Sequence, residues 1–205
     1  MTEPGVVPIG AVLCGGRSSR FGRDKALAEI DDTTTMGAVV VAALRAGGCD
    51  PVMAIGGTAG SSLGIPTVPD RHPGAGPLAA LATALRWAGS GAVVVVPCDL
   101  PLLTGDHVAQ LQAAHAAGEP NRAVIAVDDH GPQPQIGIWP ASWGPAVAEL
   151  VRNGTRAWRA ALDVGPWEGI SLPPAALADA DTEAALSALI DPPGPDKGPD
   201  EHDQG

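Results

Sequence analysis

Along the first hundred positions the apolar residues fall into short runs that stop abruptly at glycine, proline or aspartate, and stretches with helical spacing lie between them. Residues 6–13 form one such run and open into Cys14-Gly15-Gly16, the pattern of a buried strand giving way to a glycine loop. Met36, Val39, Val40, Ala43 and Leu44 then recur on one helical face, and Gly47-Gly48 supplies a left-handed stop. Residues 51–55 read as a second strand and residues 65–68 as a short extended segment. Pro77 suits the first position of a helix with Leu78, Leu81, Ala82 and Leu85 on its apolar face and Gly89 at its close. Residues 92–96 contain no polar side chain, as a strand buried on both faces requires, and the run ends at Pro97-Cys98-Asp99.

The second half continues the alternation. Thr104 or Asp106 can cap a helix running to about His115 and ended by Gly118, residues 123–127 read as a strand, and residues 136–139 pair nearby. Residues 140–162 carry two helical patterns broken at Asn153-Gly154, residues 167–172 a strand and residues 182–190 a last helix. Parallel strands need crossover connections, so this order predicts an α/β fold: a single Rossmann-like three-layer domain with a mostly parallel sheet, spanning residues 1–190. Residues 191–205 are rich in proline and aspartate with few hydrophobes, and are expected to form a disordered acidic tail. Sheets of this kind bind ligands at the carboxyl ends of their strands. Three polar or glycine-rich segments fall there: residues 14–25, 70–77 and 97–101.

Composition narrows the class. A chain of 205 residues suits one domain, and with no Tyr and a single Phe its core must rest on Val, Leu, Ile and Ala. A net charge of −11 argues against a nucleic-acid surface, which needs clustered Lys and Arg to neutralise phosphates. Cys14, Cys49 and Cys98 are odd in number and share no C-x-x-C spacing, which indicates neither a zinc site nor a disulfide framework and suits a reducing compartment. The longest apolar run is far too short to span a membrane, and a cytoplasmic location is expected.

Against that acidic background, one segment stands out in charge. Arg17, Arg20, Arg23 and Lys25 are four of the twelve Lys and Arg in the chain, and they follow Gly15-Gly16 within a single loop. Glycines let backbone N–H groups approach a phosphate, and Arg or Lys then balance its charge. A solvated basic loop is the alternative use of the same residues. The loop is neither a P-loop nor a G-x-G-x-x-G dinucleotide fingerprint. Asp70 can accept from a guanine N–H edge or a ribose hydroxyl, or merely start a turn, and His72 reads as a loop residue. Asp99, at a strand end, serves equally as a turn residue or a hard oxygen ligand.

The segment from Leu13 to Lys25 resembles the signature L-A-G-G-x-S-x-R-M-G-x-D-K of the molybdenum cofactor guanylyltransferases, with Cys14 in place of the usual Ala and Phe21 in place of Met. Residues 70–78 are similar to that family's D-x-x-P-G-x-G-P-L segment, and residues 97–101 to its P-C-D-x-P segment. Gly16 and Asp24-Lys25 favour the guanylyl branch over the cytidylyl branch, whose loop tends to read L-A-A-G. The resemblance is looser beyond residue 100: Gln133 to Ile138, Asn153 to Ala157 and Asp179-Ala180-Asp181-Thr182 fall at positions that match the family only in outline. Two segments depart from it. Gly56-Gly57 stands where several members carry an Asn that contacts the nucleotide, and residues 31–35 replace the usual G-x-P-L turn.

The resemblance implies a nucleotide-diphospho-sugar transferase type of fold and an enzyme that uses Mg²⁺ to move GMP from GTP onto molybdopterin or molybdenum cofactor. It places Leu13, Cys14, Gly15, Gly16, Lys25, Asp70 and Asp99 at the nucleotide, and Lys25, Arg20 and Asp99 in catalysis. Asp99 would hold Mg²⁺, with Asp181 either a second carboxylate or an ordinary helix N-cap. If both serve, their carboxylates should face one cleft within roughly 4–6 Å. Such chemistry needs no protein nucleophile, which agrees with the lack of any Ser-His-Asp or Cys-His constellation. It also implies transient contact with molybdoenzyme maturation proteins, while the net charge and the short apolar runs point to no contact with nucleic acid or membrane. A cytidylyl or sugar-phosphate nucleotidyltransferase would use the same first loop, and a noncatalytic nucleotide sensor is the rival of another class.

Overall fold

A computed structural model describes residues 7–15, 24–72, 74–119 and 121–191. One seven-stranded sheet runs through them, with strands β1 (Ile9–Leu13), β2 (Val52–Ile55), β3 (Thr67–Val68), β4 (Ala92–Pro97), β5 (Ala123–Asp128), β6 (Gly131–Pro140) and β7 (Trp167–Ser171) in the order β3-β2-β1-β4-β6-β5-β7. Neighbours β1 and β2, β2 and β3, β1 and β4, and β5 and β7 are parallel. Only β6 is reversed, lying antiparallel to β4 on one side and β5 on the other. The mostly parallel α/β architecture expected from the alternation of elements is therefore present.

Helices α1 (Met36–Ala46) and α3 (Gly105–Ala117) cover one face, and α2 (Leu78–Trp87) and α4 (Gly144–Arg152) the other. The layers follow from the period of two in the strands. Val94 and Val96 of β4 point to the face of Val40, Leu44, Val108 and Leu111, while Val93 and Val95 point to that of Leu78, Leu81, Val147 and Trp139. All four valines are fully buried, each contributing about 1.5–3 kcal/mol, so the centre of the sheet is a rigid floor. Thr35 and Thr104 cap α1 and α3; the choice left open between Thr104 and Asp106 falls to Thr104. Two short helices close the chain, α5 (Pro174–Leu177) and α6 (Glu183–Ile190), the first of them absent from the pattern read in the sequence. Among the described residues no helix is long and apolar enough to cross a membrane.

Two expected elements shift. The strand expected at residues 136–139 is the end of β6, which starts at Gly131 and contains Pro132 and Pro134; a register shift between Ile125 and Ala126 accommodates these residues. The second helical pattern in residues 140–162 forms only a 3₁₀ segment, Trp158–Asp163. The tail expected at residues 191–205 lies outside the described residues beyond Asp191.

The chain passes from β1 outward to β2 and β3 and then returns to place β4 against the other side of β1. This reversal is a topological switch point, and the loops after β1 and β4 diverge there into a crevice. Cys14-Gly15 and Cys98-Asp99 are the residues that the switch point brings together.

Candidate active site

The crevice is built first by backbone. Cys14 N–H donates to the Ile55 carbonyl at 3.0 Å and Cys98 N–H donates to the Leu13 carbonyl at 3.3 Å, which extends the pairing of β1 with both neighbours by one residue. Gly57, at φ +62°, lies so close that a Cβ there would stand 2.4 Å from the Cys14 carbonyl oxygen; at Gly56, φ +69°, it would stand 3.2 Å from Gly15 Cα. A side chain cannot be accommodated at Gly57 without moving the loop. The replacement of an Asn by Gly56-Gly57 is thus tied to the close approach of the loops after β1 and β2.

Asp24 accepts from Ala26 N–H at 3.1 Å and so caps a 3₁₀ turn, Lys25–Leu27, whose first residue points across the crevice. Lys25 Nζ donates to Asp99 Oδ2 at 3.1 Å and also to Asp181 Oδ1. Burial draws the Lys25 ammonium downward, but its hydrogen bonds to Asp181 and Asp99 and their charges outweigh it and leave its pKa above the ordinary lysine value. Burial pushes the Asp99 carboxyl up, against the opposing pull of Lys25. Both directions describe one fact: the carboxylates here are costly to charge in isolation and hold a cation closely.

A third carboxylate joins the two that hold that cation. Asp99, Asp179 and Asp181 each offer an oxygen within 4.8 Å of the others, no farther apart than carboxylates sharing one ion would stand. Their proximity comes from a tertiary hydrogen bond, Ala180 N–H to the Asp99 carbonyl at 3.0 Å, which pins the segment before α6 beside the end of β4. The N-cap of α6 is Thr182, whose hydroxyl accepts from Ala185 N–H at 3.1 Å; the capping role open to Asp181 falls to its neighbour. Oxygen donors at this spacing, already coordinating an ammonium, have the chemistry that hard divalent cations select.

The other expected positions divide into two groups. Leu13, Cys14, Gly15, Lys25 and Asp99 line one cleft of about 530 Å³ at the switch point. Asp70 does not line it: its Oδ1 accepts from His72 N–H at 2.9 Å, making a turn at the margin, and a Cβ added at Gly56 would stand 4.0 Å from its Cβ. Gly16, Arg17, Arg20 and Arg23 lie outside the described residues. The cleft also holds residues to which sequence reasoning gave no role. Asp128 comes from β5, Gln135 from β6, Trp158 from the 3₁₀ segment and Leu177 from α5, while Asp179 stands beside Asp99. Asp128 ends β5 and could have been found by the strand-end rule, whereas Trp158 and Leu177 carry no signal in a sequence whose 3₁₀ segment and α5 were not read.

Comparison with known proteins agrees with this geometry. Residues 10–167 match the family model described as the MobA-like NTP transferase domain. A probable molybdenum cofactor guanylyltransferase from Mycobacterium avium is 34% identical over 187 residues, covering 88% of this chain and 93% of that protein. Among solved structures, molybdopterin-guanine dinucleotide biosynthesis protein A from Archaeoglobus fulgidus superposes with a TM-score of 0.70 at 18% identity, over 88% of this chain and 96% of the other. A Mycobacterium tuberculosis protein solved in complex with manganese superposes with a TM-score of 0.67, also at 18% identity, over 92% of this chain and the whole of that one.

Proposed function

The chain belongs to the MobA-like NTP transferase domain family, and from that premise we propose that it is a molybdenum cofactor guanylyltransferase, moving GMP from GTP onto molybdenum cofactor with release of pyrophosphate. The observation that carries the reading is the meeting of Lys25, Asp99, Asp179 and Asp181 beside the Cys14-Gly15 loop at the switch point of the sheet. In this reaction the terminal phosphate of the acceptor attacks the α-phosphate of GTP. A new P–O bond forms as the bond to pyrophosphate breaks, so the protein supplies position and charge rather than a nucleophile.

Leu13, Cys14 and Gly15 form the wall against which the nucleotide lies, and Asp70 at the margin is available to its base or ribose. Lys25 is the only cationic group lining the cleft among the described residues, so the charge of the leaving pyrophosphate falls first to it, with Arg20 of the adjoining loop as its partner. Asp99 and Asp181, together with Asp179, are the groups that would hold Mg²⁺. The ion, when bound, neutralises charge on the phosphates. Asp128, Gln135 and Trp158 offer the acceptor polar edges and an aromatic face.

The test is pyrophosphate release from GTP, CTP and ATP with Mg²⁺ and molybdenum cofactor. Release with GTP well above that with the other two is expected. A preference for CTP would move the protein to a cytidylyl activity, and no release with any acceptor would favour a nucleotide sensor.

A further inference from the structure

Two of the three cysteines converge at the floor of the nucleotide wall. Cys14 follows β1 and Cys98 follows β4, and the parallel register that pairs Leu13 with Pro97 makes them lateral neighbours one step further on. Their side chains leave the same face of the sheet, because Val12 and Cys14 on one strand and Val96 and Cys98 on the other all enter the cluster packed under α1 and α3. Cys14 and Cys98 both line the cleft at that point. Adjacent strands stand about 4.7–4.9 Å apart, within the Cα separation of roughly 4.4–6.8 Å that a disulfide spans. Each is nearly buried yet lines the cleft, which gives a small oxidant a route to them through the nucleotide site.

We propose that Cys14 and Cys98 form a reversible disulfide that switches off the transfer centre. The two thiols together lose two protons and two electrons as one S–S bond forms, and a low-molecular-weight disulfide takes them up to become two thiols. The existence of the link rests on geometry alone; its effect on turnover rests on the functional reading above. Cys14 precedes Gly15, and Cys98 precedes Asp99, so drawing the sulfurs to bond length displaces the nucleotide wall and the principal carboxylate together. Misplacement by about 1 Å costs turnover on the order of 100-fold. Cys49 cannot substitute. It abuts Gly10 near the amino end of β1, some four residues or roughly 13 Å of strand from Cys14.

The experiment treats the full chain with excess diamide, maps disulfides by peptide mass spectrometry without substrate, and follows GMP transfer before oxidation, after it, and after dithiothreitol. Each variant is scored as the ratio of its own oxidised to reduced rates. The parent is expected to show a Cys14–Cys98 cross-link and a loss of tenfold or more that dithiothreitol restores. Cys49→Ser is expected to lose the same fraction and Cys14→Ala almost none. Absence of the cross-link after exhaustive oxidation overturns the proposal, as does a cross-linked protein with an unchanged rate or a Cys14→Ala variant as sensitive as the parent. A chain that transfers no GMP under any condition overturns the functional reading alone, and the mass spectrum still decides the link.

Discussion

At the scale of single residues, the chemistry turns on how a buried carboxylate is kept charged. Asp99 stands at the end of a strand whose valines are fully buried, so its backbone cannot relax away from the cleft, and Lys25 compensates its desolvation. Asp99→Asn keeps the shape and removes the charge. The expected outcome is a folded protein whose turnover falls on the order of 100-fold or more and whose requirement for Mg²⁺ rises, measured by initial rates across a metal titration. Asp179→Asn should raise the Mg²⁺ requirement in the same direction but less, since Asp179 is more exposed than Asp99. A normal rate and normal metal dependence in Asp99→Asn would remove it from the mechanism. The sequence made Asp99 readable because a carboxylate after an apolar run is a strand-end signal. It did not make Asp179 readable, because the bond from Ala180 N–H to the Asp99 carbonyl joins positions far apart in the chain.

At the scale of elements, strand ends and the loops that leave them carry the site. Gly57 and Gly64 share a left-handed backbone, at φ +62° and +65°, but a Cβ at Gly64 meets nothing within 4 Å whereas one at Gly57 meets the Cys14 carbonyl. Gly64→Ala should therefore cost only the backbone term, about 1–2 kcal/mol, and leave GTP affinity unchanged. Gly57→Ala should cost more than Gly64→Ala and also weaken GTP binding, because the only relief is displacement of the loop after β1. Denaturant unfolding paired with a GTP titration separates the two effects. Equal costs with equal GTP affinities would show that the contact at Gly57 does not hold the loop. The elements themselves were legible wherever apolar runs end at Gly, Pro or Asp. They were illegible in the first part of β6, where Pro132 and Pro134 cannot donate to a ladder and argue locally against a strand. Tertiary pairing with β5 through an irregular register overrides that local signal.

At the scale of the molecule, one cleft joins segments from opposite ends of the chain: the loop after β1, the end of β4, β6 and the stretch before α6. A ligand that bridges them ties the carboxy-terminal segment to the centre of the sheet, so binding should be visible as stability of the whole fold. Any ligand that binds only the folded state stabilises by mass action, about 2.7 kcal/mol at a hundred times its Kd, which for a chain of this size corresponds to roughly 5–10 °C in Tm. Saturating GTP with Mg²⁺ is expected to raise the Tm by that amount. The metal-dependent part should vanish with a chelator, because three carboxylates beside a triphosphate repel it when no cation lies between them. Asp99→Asn should keep a smaller shift with GTP that no longer responds to Mg²⁺, and CTP should give less than GTP at equal concentration. A full shift with GTP in the presence of chelator would mean that nucleotide is held by the loop and Lys25 alone, and that Asp99, Asp179 and Asp181 are not the metal site.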